Sequence, residues 1–398
     1  MERRTLCFEN NLTNRWHSVK EFCQKDLERR IDEGIRLLLQ KGLEEEFELV
    51  IGAGCYERST NRRDIRNGHY LRDLVTSRGA LLNLKVPRAR EAKVAFSLFD
   101  RYQRRTEPFD AAVRQSILLG HSTRKAALFF KGFFGHDLFS AQTASRLLRT
   151  FDASLESWRR RPLTDDIILL ILDAVWLKGT HLAKGARPVL CALGFHADGH
   201  PELLSFKVAF SESEGSWMSF CQDLVNRGLL GENLLATIMD DSKAIENAVR
   251  FTWYKVPIQK CVFHTLQNLA KSLKGHPQKR EILKASSCLY KAKSPSAFEI
   301  RLDRFKRHWT TRPLHPSIRN FLNKIDETTT YFALPQALWP IAKTTNRLER
   351  WFRELRRRVN VIGAFPNPKS CERWMYALID QFNQHQKETP VFQSTQLS

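Results

Sequence analysis

Read for the spacing of its apolar positions, the chain divides into a helical and ribbon-like first part and an α/β second part. Phe22, Leu27, Ile31, Ile35 and Leu38 recur at helical spacing, which predicts a helix over 17–48. The arginine-dense stretch that follows ends in Gly79–Val86 (GALLNLKV). Its alternation predicts a half-buried strand stopping at Pro87. A basic β-ribbon accounts for this segment, and so does a solvated basic loop. Between 109 and 150 three helices are expected. One runs from Phe109 to about Leu119 and ends at Gly120, one is capped by Ser122 and ends near Gly135, and one is capped by Ser140 (SAQTASRLLRTF). Two short helices joined by a glycine-containing turn, the second polar and basic, match a helix-turn-helix. Pairs of this kind also occur for purely structural reasons.

From about 165 the texture changes. Ile167–Trp176 (IILLILDAVW), PVLCALGF and LLSFKVAF read as three strands, the last two separated by the turn signal ADGHPE. A helix over Gly215–Arg227, capped by Ser213 or Ser216, ends at Gly228 and Gly231 before a fourth strand, LLATIM. A helix over Ser242–Arg250 and a short strand around Pro257–Val262 complete the set. Three meander strands followed by helix-connected crossovers make a mixed sheet with helices packed on it, the element order of a ribonuclease H-like core. Residues of about 270–335 carry almost no strand pattern and read as a Lys- and Arg-rich helical insertion. The expected organisation is therefore a helical and basic-ribbon region (1–105), a helix-turn-helix-like region (106–162), the α/β core with its insertion (163–385) and a C-terminal tail (386–398).

Composition changes the picture through charge alone. Hydrophobic content of 42% and charged content of 27% are ordinary for a soluble globular protein. Lys and Arg number 64 against 43 Asp and Glu, a formal net charge of +21. Such a surplus favours a polyanionic partner, because each neutralised phosphate releases condensed counterions; an anionic membrane surface would also attract it. The longest apolar run, Ile167–Leu177, is interrupted by Asp173 and is too short to span a bilayer. The start, MERRTLCFENN, lacks the apolar stretch of a signal peptide, and the eight cysteines have no framework spacing. A reduced, intracellular protein that binds nucleic acid and not membrane is the expectation.

The candidate chemistry lies in acids. Asp173 sits inside the first core strand and Asp240 at the end of the fourth, where a carboxylate is costly unless it is paired or holds a cation. In the expected sheet these strands are neighbours, and Glu349, in the helix TTNRLERWFRELRRR, would complete a set of three. Clustered carboxylates suit Mg²⁺, a hard ion, and two such ions about 3.5–4 Å apart can serve an in-line displacement at phosphorus. Each acid taken alone has an ordinary explanation: Asp173 as a strand-edge residue, Asp240 as a helix cap, Glu349 in an exposed pair with Arg353. Cys261 and His264 form a Cys-x-x-His pair near the fifth strand. A structural zinc site usually has four protein ligands, and no second close-spaced pair accompanies this one, so bracing the site or touching DNA is the expectation. Arg146 and Arg149 on the third helix, Lys178 beyond the first acid, and Arg353, Arg356 and Arg357 beside Glu349 are candidate DNA contacts. A solvated helix face explains some of these arginines equally well.

The chain resembles the mutator-type transposases of bacterial insertion sequences along nearly its whole length. The matching segments are YERS…RNGHYLR…TSRGALLNLKVPRAR near the start, then HSTRKAA and RRPL. In the core they are ILDAVWLKG, SWMSFCQDLVNRGL, MDDSKAIENAV, PIQKCVFHTLQNL and TTNRLERWFRELRRRVNVIGAFPN. The resemblance implies a DDE transposase whose acidic triad is Asp173, Asp240 and Glu349. The register of Ile245 and Ala248 selects Asp240 over Asp241. It also implies Cys261, His264 and Asn346 as site-supporting residues, and Trp217 matches as well, although an aromatic on an amphipathic helix is more often core. Departures are mild: Ala244 replaces the family's usual Gly, Trp176 its Tyr and Lys260 its Arg. The implied activity is Mg²⁺-dependent cleavage and strand transfer, with Mn²⁺ as a substitute. The implied partners are double-stranded DNA, as terminal inverted repeats and target, and further copies of the chain, in a cytoplasmic, nucleoid-associated setting. A catalytically inactive or domesticated DNA-binding relative, or a ribonuclease H-like nuclease, would share much of this pattern.

Overall fold

The first helix, α1 (Glu2–Ile51), runs beyond the predicted 17–48 at both ends in the computed structural model, which describes residues 2–100, 103–180, 183–309, 315–362, 365, 367–387 and 390–392. Downstream, β1 (Arg66–Thr76) and β2 (Gly79–Ala89) pair antiparallel from Thr76 opposite Gly79 to Arg66 opposite Ala89. The arginine-dense stretch is thus a ribbon and not a loop. It passes through Pro87 where the sequence pattern predicts a stop. Each strand of a two-stranded ribbon has one unpaired edge, so a residue without an N–H can lie there without breaking a ladder bond. Leu43 on α1 packs with Leu74, Leu84, Val86 and Phe99, and Arg66 bonds Glu44 at 2.7 Å and Glu48 at 3.2 Å, which fixes the helix end on the ribbon. Helices α2 (Glu107–Leu118), α3 (Thr123–Phe134) and α4 (Ala141–Arg149) match the predicted trio. Ser140 Oγ accepts from Thr143 N as an N-cap does.

By its internal packing the chain forms two units, one of residues up to Ile117 with Thr123–Leu147, the other of Leu118–Ser122 with Leu148 onward. After α5 (Phe151–Arg160), the second unit builds a five-stranded mixed sheet from β3 (Ile167–Thr180), β4 (Ala183–His196), β5 (Pro201–Val208), β6 (Ala236–Met239) and β7 (Ile258–Lys260). The spatial order is β5-β4-β3-β6-β7, with β3, β4 and β5 antiparallel and β6 and β7 parallel to β3. Alternate residues of β3 feed opposite faces. Leu170 and Leu172 join the core under α6 (Glu214–Asn226) and α7 (Lys243–Thr252). Ile171, Val175 and Leu177 join the larger core on the other face.

That second face is covered by α8 (Val262–Ser272), α9 (Lys279–Leu289), α10 (Pro295–Trp309), α11 (Pro316–Asn323), the short α12 (Trp339–Ala342), α13 (Asn346–Ile362) and α14 (Pro368–Gln386). Amide side chains tie both outer strands to the elements beside them, satisfying backbone groups that would otherwise be left unpaired. Asn383 of α14 accepts from Leu203 N and donates to Leu203 O on β5. Buried Gln259 of β7 accepts from Tyr331 N and donates to Thr328 O in the insertion. Past α14, Val391 N donates to Gly199 O and Phe392 is buried. Gly199 has φ +93°, and a Cβ there would lie 2.0 Å from Phe392 O, so the turn at ADGHPE requires glycine.

The same turn holds a pH-sensitive cluster. His196 lies 2.9 Å from Asp166 and 3.1 Å from Glu202, and Glu202, opposed by burial and joined by Asp166, raises its pKa to about 9. A histidine whose folded pKa is raised contributes stability that is complete below its ordinary value of about 6.5 and is lost as pH rises through about 9. Asp166 is half exposed, which discounts the pair to about 2 kcal/mol. Urea titrations at pH 6.5 and 9.5 are expected to show that loss in the wild type, and His196→Gln is expected to flatten it. Equal pH dependence in the two proteins would remove His196 from this role.

Candidate active site

The pairing of β3 with β6 sets the first two acids level with each other. Ile171 pairs with Ile238; Asp173 lies two residues further along β3, and Asp240 two residues past Ile238, just beyond β6. At Met239 β6 ends, so Asp240 stands where the chain leaves the sheet, while β3 continues against β4. Asp173 shares the odd-numbered face of β3 with Ile171 and Val175, the face against which Leu348 and Phe352 of α13 pack. It is 8% exposed, and Ala174 N, 2.8 Å away, donates to its carboxylate. Burial pushes its pKa up to about 7. His264 and the Ala174 N–H pull it down, and the charges of Asp240 and Glu349 raise it further. The three acids therefore share one electrostatic site.

Glu349 is presented by the first turn of α13 and held from two sides. Thr345 Oγ1 donates to Glu349 Oε1 at 3.0 Å, and His264 Nε2 lies 3.5 Å from the same oxygen. The exposed pair with Arg353 that the sequence also allowed is not how Glu349 is engaged; the carboxylate is half-buried and turned inward. Cys261 is buried at the start of α8, its N donating to Met239 O at 2.7 Å. Its sulfur accepts from Thr345 N at 3.4 Å. The neighbouring Cys261 sulfur, opposed by burial and joined by Asp173 and Glu349, raises His264 to about 9. Among the described residues, the trio whose ligand atoms all lie within 4.8 Å of one another is Cys261, His264 and Glu349. Sequence spacing left the Cys-x-x-His pair without a further ligand; α13 brings a carboxylate to it from far along the chain.

A cation suits this site. A nearly buried carboxylate repelled by two others is opposed by His264, and carboxylate oxygens are the donors a hard divalent ion takes. Asp240 Oδ1 accepts from Ser242 N at 3.0 Å, which orients it at the head of α7, whereas Asp241 is paired with Lys324. Lys260 is buried on β7 and lies 2.9 Å from Glu246 of α7. Two residues went unnoticed in the sequence. Glu212 bonds the Trp176 indole at 3.1 Å, and its carboxyl is pushed up by burial, with Asp240 adding to the rise. Thr345 carried a signal only as part of TTNRLE, and Glu212 carried none.

Among the described residues, none of the remaining candidates bonds the acids. Asn346 is exposed at the start of α13, and its backbone N donates to Thr344 Oγ1. Arg146 and Arg149 are exposed on α4, and Arg353 and Arg356 are exposed on α13. Arg357 is exposed but bonded to Glu354 through two nitrogens. The side chain of Lys178 falls outside the described part of β3. Trp217 is fully buried in the core beneath α6. No helix among the described residues is long and apolar enough to cross a membrane.

The fold is an α/β protein with Asp173 inside one strand and Asp240 just past the end of the parallel strand beside it. Residues 9–389 match the family model described as transposase, Mutator family. The chain belongs to that family and is a transposase. It is 33% identical over 350 residues to the transposase for insertion sequence element ISRM5 of Rhizobium meliloti, covering 87% of this chain and 86% of that one. It is 31% identical over 357 residues to the transposase for insertion sequence element IS406 of Burkholderia multivorans, covering 88% and 90%. A solved structure described as the Drosophila P element transposase strand transfer complex aligns with 73% of this chain and 83% of its own at 12% identity, with a TM-score of 0.28. That likeness is too low to carry an argument.

Proposed function

We propose that this transposase binds the ends of its own element and cuts and rejoins DNA strands at the acidic site, on a sheet of ribonuclease H-like type. The observation that carries the reading is the level placement of Asp173 on β3 and Asp240 just past the end of β6, with Glu349 adding to the upward shift of the buried Asp173 pKa. Asp173, Asp240 and Glu349 would hold Mg²⁺, or Mn²⁺ in its place. Such ions supply Lewis-acid activation of the attacking oxygen and stabilise the leaving one. In the first step a water oxygen bonds phosphorus as the bond to the 3′-oxygen breaks. In the second the freed 3′-hydroxyl attacks a target phosphodiester in the same way. The chain's residues set the geometry: β3 and β6 fix two carboxylates, Thr345 and His264 orient the third, and the hydrophobic face around Ile171 and Val175 keeps bulk water from Asp173.

The helix-turn-helix and β-ribbon would read the terminal repeats, with Arg146 and Arg149 as contacts. Lys178, Arg353, Arg356 and Arg357 would meet DNA near the cut. Asn346, Cys261 and His264 would support the site. Bringing two ends together calls for more than one copy, and such a protein would work in the cytoplasm on the nucleoid. The region boundaries at 105, 162 and 385 are part of the same proposal.

The test is direct. Purified protein is incubated with end-labelled duplex carrying the element's terminus, with Mg²⁺ and then with excess EDTA. Strand nicking at the terminus is expected with the metal and not with the chelator. A protein that retards the duplex yet nicks it in neither Mg²⁺ nor Mn²⁺ overturns the catalytic reading and leaves a DNA binder.

A further inference from the structure

The threonine at the mouth of α13 is placed unlike an ordinary helix-capping residue. Thr345 is fully buried, and its carbonyl accepts from Glu349 N at 3.0 Å, so it stands at the N-cap. A capping hydroxyl usually accepts from an N–H in the first turn. Here the hydroxyl lies 3.0 Å from Glu349 Oε1 and 3.4 Å from Cys261 Sγ. It has one proton, and an ionised carboxylate can only accept, so that proton is directed at Glu349 while the oxygen faces the sulfur. The Thr345 N–H bonds the same sulfur, and Cys261 N bonds Met239 O, the residue before Asp240. One further tie, Val262 N to Lys343 O at 2.9 Å, holds the segment leading into α13 against the start of α8.

We infer that Thr345 is a positioning residue: through its hydroxyl and its contact with Cys261 it locks the rotamer of Glu349 and couples the helix carrying the third acid to the strand end carrying the second. The inference rests on the reading of Glu349 as a metal-holding acid and goes beyond it. Glu349 stands on a helix and must reach acids fixed in a sheet, so its side chain needs an external restraint. A hydroxyl within its own first turn supplies one without adding charge to the site. Because the restraint acts through Glu349, removing it weakens metal binding and leaves the DNA-reading surface alone.

The test compares Thr345→Val, which keeps the shape and removes the hydroxyl, with Thr345→Ser, which keeps the hydroxyl. Mn²⁺ binding to the full-length protein without DNA is followed by electron paramagnetic resonance, alongside the Mn²⁺ dependence of nicking and the melting temperature. Thr345→Val is expected to bind Mn²⁺ at least about tenfold more weakly and to need correspondingly more Mn²⁺ for half-maximal nicking, with DNA affinity unchanged. Thr345→Ser is expected to restore both. In the Glu349→Gln background, Thr345→Val is expected to add nothing further. Wild-type Mn²⁺ affinity in Thr345→Val, or a full additional loss in the double variant, overturns the inference. If Thr345→Val does not fold, Thr345→Ala carries the same comparison. Glu349→Gln with wild-type Mn²⁺ binding and nicking would overturn the metal assignment along with it. Lost binding in Glu349→Gln with none in Thr345→Val overturns the positioning role alone.

Discussion

Asp173→Asn is expected to lower strand cleavage by about 10³-fold or more, equivalent to about 4 kcal/mol of barrier, while end binding stays within a few-fold of wild type. The substitution preserves shape and removes a buried carboxylate of the site, leaving a donor set that grips a hard cation poorly. Asp240→Asn and Glu349→Gln are expected to act alike, since the charges of both are felt at Asp173. A stability measurement separates lost chemistry from lost fold. The folded pKa of Asp173 is raised to about 7, so ionising this group opposes folding as pH rises from its ordinary value near 4 through 7. The neutral amide escapes that opposition, and in EDTA at pH 8 Asp173→Asn is expected to melt no lower than wild type. Cleavage at the wild-type rate would remove Asp173 from the site. Lost cleavage with a collapsed melting temperature would assign it to structure instead.

Two of the candidate acids stood out locally: a carboxylate inside IILLILDAVW, and another where LLATIM runs out, are costly placements, and the resemblance selected Asp240 over Asp241. The neighbouring of β3 and β6 followed from the element order, three meander strands and then helix-connected crossovers, read as a ribonuclease H-like sheet. What holds Glu349 was hidden. Thr345, Cys261 and His264 meet it through the docking of α13 against α8, a tertiary contact between segments more than eighty residues apart, which no local pattern encodes. The same limit applies to Glu212, whose relation to Asp240 depends on where the β5–α6 connection passes. The ribbon's course through Pro87 shows the converse, a local rule relaxed because a two-stranded sheet has free edges.

Trp217 tests the boundary between core and site. The family match left this residue between two roles, and the structure buries it completely on α6, edge-on to Phe220 at 5.8 Å and in one cluster with Leu170, Leu172 and Met239. Trp217→Ala is expected to cost about 3–5 kcal/mol, the range for emptying an aromatic-sized volume in a packed interior. In a unit of this size that lowers the melting temperature by about 10 °C. Trp217→Phe is expected to cost well under half as much, since the indole Nε1 is buried with no partner and no hydrogen bond is lost with it. Met239 immediately precedes Asp240, so a cavity beneath β6 loosens the strand end that presents the second acid. Below the melting transition, cleavage by Trp217→Ala is therefore expected to fall by less than about tenfold, far short of the loss on removing an acid. A variant of wild-type stability that no longer cleaves would show that Trp217 acts on the DNA or the acids directly, and its burial would then have to be relieved when DNA binds.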